Sequence, residues 1–354
     1  MFASFARFVA TALLAASLVS AAAISERNSD DDKKVGYLLA TFPVEDEAVY
    51  FELSNGNDAH SFSRLSRNGS QAILRSDVGT KGARDHFIVP SHDGSKYWLH
   101  STDLMVNAFE GQDFNAATRF GSRSIVIWES DDLVNWSEPR LSAPLVNSSA
   151  GNAWAAESYW DHQQQAYIVV FASRFWSPSD PDRTGAQPPN VLMYVTTTDF
   201  VHFTEAKTYF HPVYPVIDAT FLKRDCEGPN VWYRWVKNEY NFKIFQQRSS
   251  TGIRGKWTNV GNAPNGTYIE YASQYENNEG PLIFVDNKDP GLFHLWIDEN
   301  TKQSYIPSTA RTLDDMSAWK AQSLKGFPSS IKHGKVLPLN QKQYHRISQK
   351  YHKV

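Results

Sequence analysis

A unit of strand, polar turn and aromatic residue returns five times along this chain, and that repetition constrains the fold more than any other feature. It reads Trp128-Glu-Ser-Asp-Asp-Leu-Val-Asn-Trp136 and returns as Val195-Thr-Thr-Thr-Asp-Phe-Val-His-Phe203. Looser copies run from Gln247 to Trp257, from Ala310 to Trp319 and from Phe51 to Phe62. A second series interleaves with it, in which a polar residue stands just ahead of an apolar run. Asp85 precedes Phe87-Ile88-Val89, Glu157 precedes Ser158-Tyr159-Trp160, and Asp218 precedes Ala219-Thr220-Phe221-Leu222. Glu279 precedes Leu282-Ile283-Phe284-Val285, and His333 precedes Val336-Leu337. These polar positions fall roughly 50 to 70 residues apart, the length of a four-stranded blade. Each is followed by a strand pair and then by the strand-turn-aromatic unit, and long helical periodicity is hard to find. The pattern predicts an all-β, five-bladed propeller with four-stranded blades.

The order of the pieces also predicts how the ring closes. His333 has one strand after it, whereas the strands Val35 to Phe42 and Ala48 to Phe51 precede Asp85 without an inner strand of their own. The two chain ends would share the last blade and leave no open sheet edge.

Composition narrows the class. Of 354 residues, 41% are hydrophobic and 14% aromatic, enough for a large core and for surfaces that stack on sugar rings. A net charge of -3 gives no basic footprint for nucleic acid. Cys226 is the single cysteine, so stability rests on packing rather than on an internal disulfide or a cysteine zinc cluster. Arg7, the apolar run Phe8 to Val19 and the small residues Ser20 to Ala23 read as a secretory signal over residues 1–23, too short to span a membrane. A disordered lead-in over 24–34 and one propeller domain over 35–354 are expected to follow. Four glycosylation acceptors, at Asn68, Asn135, Asn147 and Asn265, fit a secreted glycoprotein. The chain is expected to be an extracellular monomer with no membrane partner.

In a propeller the residue ahead of each inner strand points into the axial cavity. Here those residues are Asp85, Glu157, Asp218, Glu279 and His333. Four carboxyls in one pocket repel, so at least one should hold its proton well above the usual range. Hydrolysis of a glycosidic bond by two carboxyls needs that: one ionised, one protonated. Asp93, Asp131, Asp132, Asp199 and Asp289 lie in turn contexts and are read as turn-shaping residues. Glu157 reads either as a sugar-binding carboxylate or as pocket wall, and His333 as an ion ligand, a water anchor or a packed histidine. Trp154, Tyr159, Trp176 and Tyr275 are candidates for a sugar-stacking platform, with inter-blade packing the alternative for each.

An ordered set of motifs resembles glycoside hydrolase family 43, in the branch similar to exo-acting α-L-arabinofuranosidases. It comprises Gly82-Ala-Arg-Asp85, Gly121 to Trp136, Trp154-Ala-Ala-Glu157, Ile217-Asp218-Ala-Thr-Phe, Glu279-Gly-Pro and His333-Gly, and spans roughly Val35 to Leu339. The resemblance implies an inverting enzyme acting on plant cell-wall arabinan or arabinoxylan. Asp85 would be the general base, Glu279 the general acid, and Asp218 the residue that positions Glu279 and tunes it. It further implies an arginine near the acid pair, for which Arg234 is the candidate. No cofactor is implied for catalysis, but a structural calcium or a water cluster on the axis would be held partly by His333. Two positions depart from the family pattern: His86 and Ala156 stand where proline is usual. Their loss loosens the pocket rim, and His86 could contact substrate instead. Two other functions stay open at this point: a β-xylosidase on the same site, and a carbohydrate-binding propeller without turnover.

Overall fold

The structure, a computed structural model, describes residues 33–109, 113–260, 268–272, 275–302 and 304–354. The expected signal segment, nearly all of the lead-in and the Asn265 acceptor lie outside the described residues. The acceptor residues Asn68, Asn135 and Asn147 are all exposed. Among the described residues no helix is long and apolar enough to cross a membrane.

Five antiparallel sheets form the ring. The first blade runs from the axis outward as Arg84–Pro90, Tyr97–Thr102, Ile125–Ser130 and Arg140–Leu141. The second is Trp154–Asp161, Ala166–Ser173, Val191–Thr197 and Lys207–Phe210. The third is Val216–Lys223, Trp232–Asn238, Lys243–Ser249 and Thr258–Asn259. The fourth is Asn278–Val285, Phe293–Glu299, Ser304–Ala310 and Lys320–Ala321. The closing blade takes its inner strand, Lys332–Asn340, from the C-terminal end and its next strands, Lys34–Phe42, Val49–Asn55 and Asp58–Ser66, from the N-terminal end. The ring therefore closes as the sequence predicts.

The repeated turn unit has a physical basis. After the third strand of the first blade, Ser130 Oγ accepts the Leu133 N–H at 2.9 Å, and Asp132 Oδ1 accepts those of Val134 and Asn135 at 3.0 and 2.8 Å. The second blade repeats the arrangement, with Thr197 accepting from Phe200 at 2.9 Å and Asp199 accepting from Val201 and His202, both at 2.8 Å. These polar loops drive Leu133 and Phe200 into the core, where both are fully buried. The cores lie between blades, where aromatic and β-branched faces of neighbouring sheets meet.

A helix, Gln341–Lys350, follows the last inner strand and was not expected from the sequence. A reciprocal cap starts it: Asn340 accepts the Gln343 N–H, and the Gln343 side chain accepts that of Asn340. Its Tyr344 ring lies against Gly36, where a Cβ would come within 2.3 Å of the ring. The chain then adds His352–Lys353 to the outer edge of Asp58–Ser66.

Candidate functional site

Every inner strand carries a one-residue bulge at the same level. In the first blade Arg84 pairs with Thr102 and Phe87 with His100, so Asp85 and His86 stand opposite a single residue. The second blade offsets in the same way between Trp154 and Glu157, the third between Ile217 and Ala219, the fourth between Glu279 and Leu282, and the closing blade between Lys332 and Lys335. The bulge residue is left-handed in four of the five: φ is 53° at Asp85, 51° at Ala155, 52° at Asp218 and 45° at Gly280. Such bulges re-aim a side chain without breaking the sheet beyond.

Superposing these registers corrects the single ring expected from the sequence. The axis has three tiers. Arg84, Trp154, Ile217, Glu279 and Lys332 form the outer tier, and Asp85, Ala155, Asp218, Gly280 and His333 the middle tier. Phe87, Glu157, Thr220, Leu282 and Lys335 form the inner tier. Asp85, Asp218 and His333 share a level, Glu279 stands one step toward the mouth, and Glu157 one step below. Aligning the chain on its acidic residues hides these offsets, because a bulge leaves no mark on composition.

The outer and middle tiers line a pocket of about 530 Å³ at one end of the axis. Asp85, Asp218, Glu279, His333 and Trp154 all face it. Phe114 adds a half-exposed ring at the rim. Arg84 also faces the pocket and is held by Glu47 at 2.9 Å.

In the middle tier, His333 Nδ1 lies 3.4 Å from Asp85 Oδ1 and 3.9 Å from Asp218 Oδ1. Burial would raise the Asp85 carboxyl, but the contact with His333, together with Arg84 and Thr102, holds it at about 2. Burial would lower the imidazole, but the neighbouring carboxylates push it up to about 9. At neutral pH the two are an ion pair. Asp218 behaves oppositely: burial raises its carboxyl, opposed by His333 and Lys237. Its Oδ2 accepts the Gly280 N–H at 3.1 Å, which ties the third blade to the strand that bears Glu279. Gly280 is needed here on two counts, its positive φ and its approach to His333, since a Cβ would stand 2.8 Å from the imidazole Cγ.

Two lysines that sequence reasoning missed hold Glu279. Lys237 Nζ donates to Oε2 at 3.1 Å, and Lys332 Nζ to Oε1 at 3.0 Å. Lys332 also donates to the fully buried Asp298 at 2.7 Å and to Asn300 at 3.1 Å. Lys237 and Asp298 are the second-strand partners of Ile217 and Glu279, so each points at the mouth beside its inner neighbour. Burial would raise Glu279, but the two ammonium groups hold it at about 2. The raised carboxyls are instead Asp218, Glu157 and Asp298, the last pushed by burial to about 6.

Other expected site residues lie away from the pocket. Arg234 is buried between blades: its guanidinium donates to Gln247 and lies 4.2 Å from the Phe210 ring centroid and 4.5 Å from that of Trp257. Three positions along one strand separate opposite faces, so Lys237 takes the place beside the acid that Arg234 was expected to hold. His86 donates through Nε2 to the Ala48 carbonyl at 3.1 Å and accepts the Ser101 hydroxyl through Nδ1 at 2.7 Å. It ties the first blade to the closing blade, and burial lowers it to about 4. Ala156 is buried in the core between the first and second blades. Tyr275 packs into the core of the third and fourth blades, and Trp176 is buried beneath Arg119 and Arg183. Tyr159 stands two residues past Glu157 and packs against the cores on either side of the second blade, its hydroxyl bonded to Glu157.

The fold is that of a five-bladed propeller, with an axial pocket that gathers carboxylates from several blades. The chain belongs to the family described as a probable glycosyl hydrolase domain, related to glycoside hydrolase family 43, whose model matches residues 32–345. It is 35% identical over 217 residues to an α-L-arabinofuranosidase of Bifidobacterium longum subsp. longum, a match covering 58% of this chain. That match spans only 20% of the bifidobacterial protein, about a fifth of its length. Among solved structures, an endo-1,4-beta-xylanase from Bacteroides thetaiotaomicron is 12% identical, with a TM-score of 0.50 over 81% of this chain and 90% of that one. A thermostable family-43 glycoside hydrolase is 16% identical, with a TM-score of 0.46 over 74% of this chain and 76% of that one.

Proposed function

We propose that this enzyme is secreted and removes α-L-arabinofuranosyl residues from plant cell-wall arabinan or arabinoxylan, with inversion at the anomeric carbon. The observation that carries the reading is the meeting of Asp85, Asp218 and Glu279, from three different blades, in one pocket beside Trp154. The name of the bifidobacterial relative supports the sugar. Asp85, held ionised by His333, is the base that draws a proton from water. The closing blade separates the Asp85 blade from the Glu279 blade in ring order, which leaves room for that water. Trp154 offers the sugar a stacking face.

Glu279 is the acid, and it needs a proton that its two lysines oppose in the free enzyme. Lys332 bridges it to Asp298. When Asp298 carries a proton, Lys332 passes one of its own to Glu279 and takes that of Asp298, so charge is conserved and the acid is loaded. Asp218 fixes the strand of Glu279 through the Gly280 N–H.

The test is hydrolysis by the purified protein of nitrophenyl α-L-arabinofuranoside against nitrophenyl β-D-xyloside, with the anomer first released followed by NMR. Arabinose released with inversion is expected. Preference for the xyloside reassigns the substrate, retention removes the mechanism, and hydrolysis of no arabinosyl or xylosyl substrate overturns the reading.

A further inference from the structure

The inner tier of the axis contains two charges and three uncharged side chains. Phe87, Thr220 and Leu282 are the uncharged members. Glu157 enters from the second blade, is 4% exposed, and accepts the Tyr159 hydroxyl, which in turn accepts the Phe221 N–H at 3.0 Å. A carboxylate at this depth needs a compensating charge. Lys335 enters from the closing blade, two residues past His333. Its Nζ lies 4.6 Å from the Phe87 ring centroid and 5.3 Å from that of Tyr159, the ring that is bonded to Glu157. Two aromatic faces therefore hold an ammonium group on the axis, within Coulombic reach of Glu157.

This arrangement bears on the axial calcium that the family resemblance implies. Calcium takes about six to eight oxygen ligands at close range. Here the tier directly below His333 already contains the Lys335 ammonium group. Among the described residues no group of three or more His, Cys, Asp or Glu side chains could hold a metal ion. A divalent cation would meet that ammonium and too few oxygens, so the residues do not fit it.

We propose that Lys335 is the propeller's own axial cation: its ammonium group supplies from the closing blade the charge that neutralises Glu157, in place of a bound metal ion. Lys335 is a positioning residue in this role. It holds Glu157 and Tyr159 beneath the pocket floor and joins the closing blade to the second blade across the axis. The inference is independent of which sugar the enzyme cleaves.

Thermal unfolding of the whole protein tests it, in excess EDTA and in excess calcium chloride at constant ionic strength. The wild-type Tm is expected to be the same in both. Lys335→Met is expected to lower Tm by roughly 5–10 °C, and Glu157→Gln to lower it as well. The double variant E157Q/K335M is expected to recover at least half of the summed loss, because neither charge is then left unpaired. A wild-type Tm that falls in EDTA and returns with calcium overturns the proposal. Losses that simply add in the double variant overturn it too, since they would reduce Lys335 to packing. Should K335M fail to fold, the double variant decides: a folded E157Q/K335M supports the pairing, and an unfolded one refutes it.

Discussion

His333 Nδ1 stands 3.4 Å from the Oδ1 of Asp85, and this contact sets opposite pH limits on the two residues. Protonated His333 contributes stability that is complete below its unfolded value of about 6.5 and is lost as pH rises through about 9. The shift corresponds to about 3 kcal/mol. His86 and His100 act on the other side: burial lowers them to about 4 and about 3, so stability falls as pH drops below the unfolded value. Unfolding free energy is therefore expected to peak near pH 6.5, and His333→Gln to flatten the alkaline decline. Denaturant melts across pH 5 to 10 measure both; an alkaline decline that persists in the variant assigns it to another group.

The backbone at Asp85 separates two variants that remove the same carboxylate. Asparagine enters the left-handed region more readily than alanine, so Asp85→Asn keeps the bulge at less cost than Asp85→Ala, which adds strain of about 1 kcal/mol. Both are expected to lose roughly 10²–10⁴-fold in kcat and to lower Tm through the lost ion pair with His333, the alanine variant by more. Steady-state rates paired with melting curves show whether the two variants share the rate loss and whether the alanine variant carries the extra loss of Tm.

Lys237→Met takes one of two cations from Glu279. The carboxyl rises, Glu279 keeps its proton to higher pH, and the basic limb of the kcat/KM profile is expected to move upward. An unmoved limb would mean that another group is the acid. Lys332→Met is a harsher change, since it leaves Asp298 buried without its cation, at a cost of about 3–5 kcal/mol.

Gly280→Ala is expected to destabilise by about 1–3 kcal/mol and to push His333 off Asp85. The readout is paired: Tm falls, and the alkaline stability limb moves toward that of His333→Gln.

Ending the chain after Asn340 deletes the capped helix and the edge strand His352–Lys353. It uncovers the cluster in which Ile347 and Tyr351 are buried, and Tyr351 donates to the Val134 carbonyl of the first blade at 3.2 Å. The truncation is expected to lower Tm by at least about 5 °C without altering KM, because none of these residues lines the pocket.

The number of blades, their order and the closing strand were legible in the sequence because period-2 alternation and the Ser/Thr/Asp turns are local signals. Asp85, Asp218 and Glu279 were legible as pocket residues for the same reason. Their depths were not. The bulge that separates Glu279 from Asp85 and Glu157 from both is a matter of hydrogen-bond register, and a one-residue offset has no compositional trace. Lys237 and Lys332 escaped because a lysine within an apolar strand reads as an edge residue unless its face is known. Arg234 was misplaced for the same reason. His86 resolves the missing proline: its ring bonds the Ala48 carbonyl across the blade gap, supplying by hydrogen bond the stiffness that a fixed φ would give.

The recurring bulge means that the identity of the side chain at the pocket mouth is set twice, once by the residue and once by the pairing of two strands. Sliding the bulge of the second blade by one position would exchange Trp154 and Ala155 between tiers with no change of amino acid. In such a fold, specificity can drift through backbone register alone, and relatives with the same acidic residues can present different pockets.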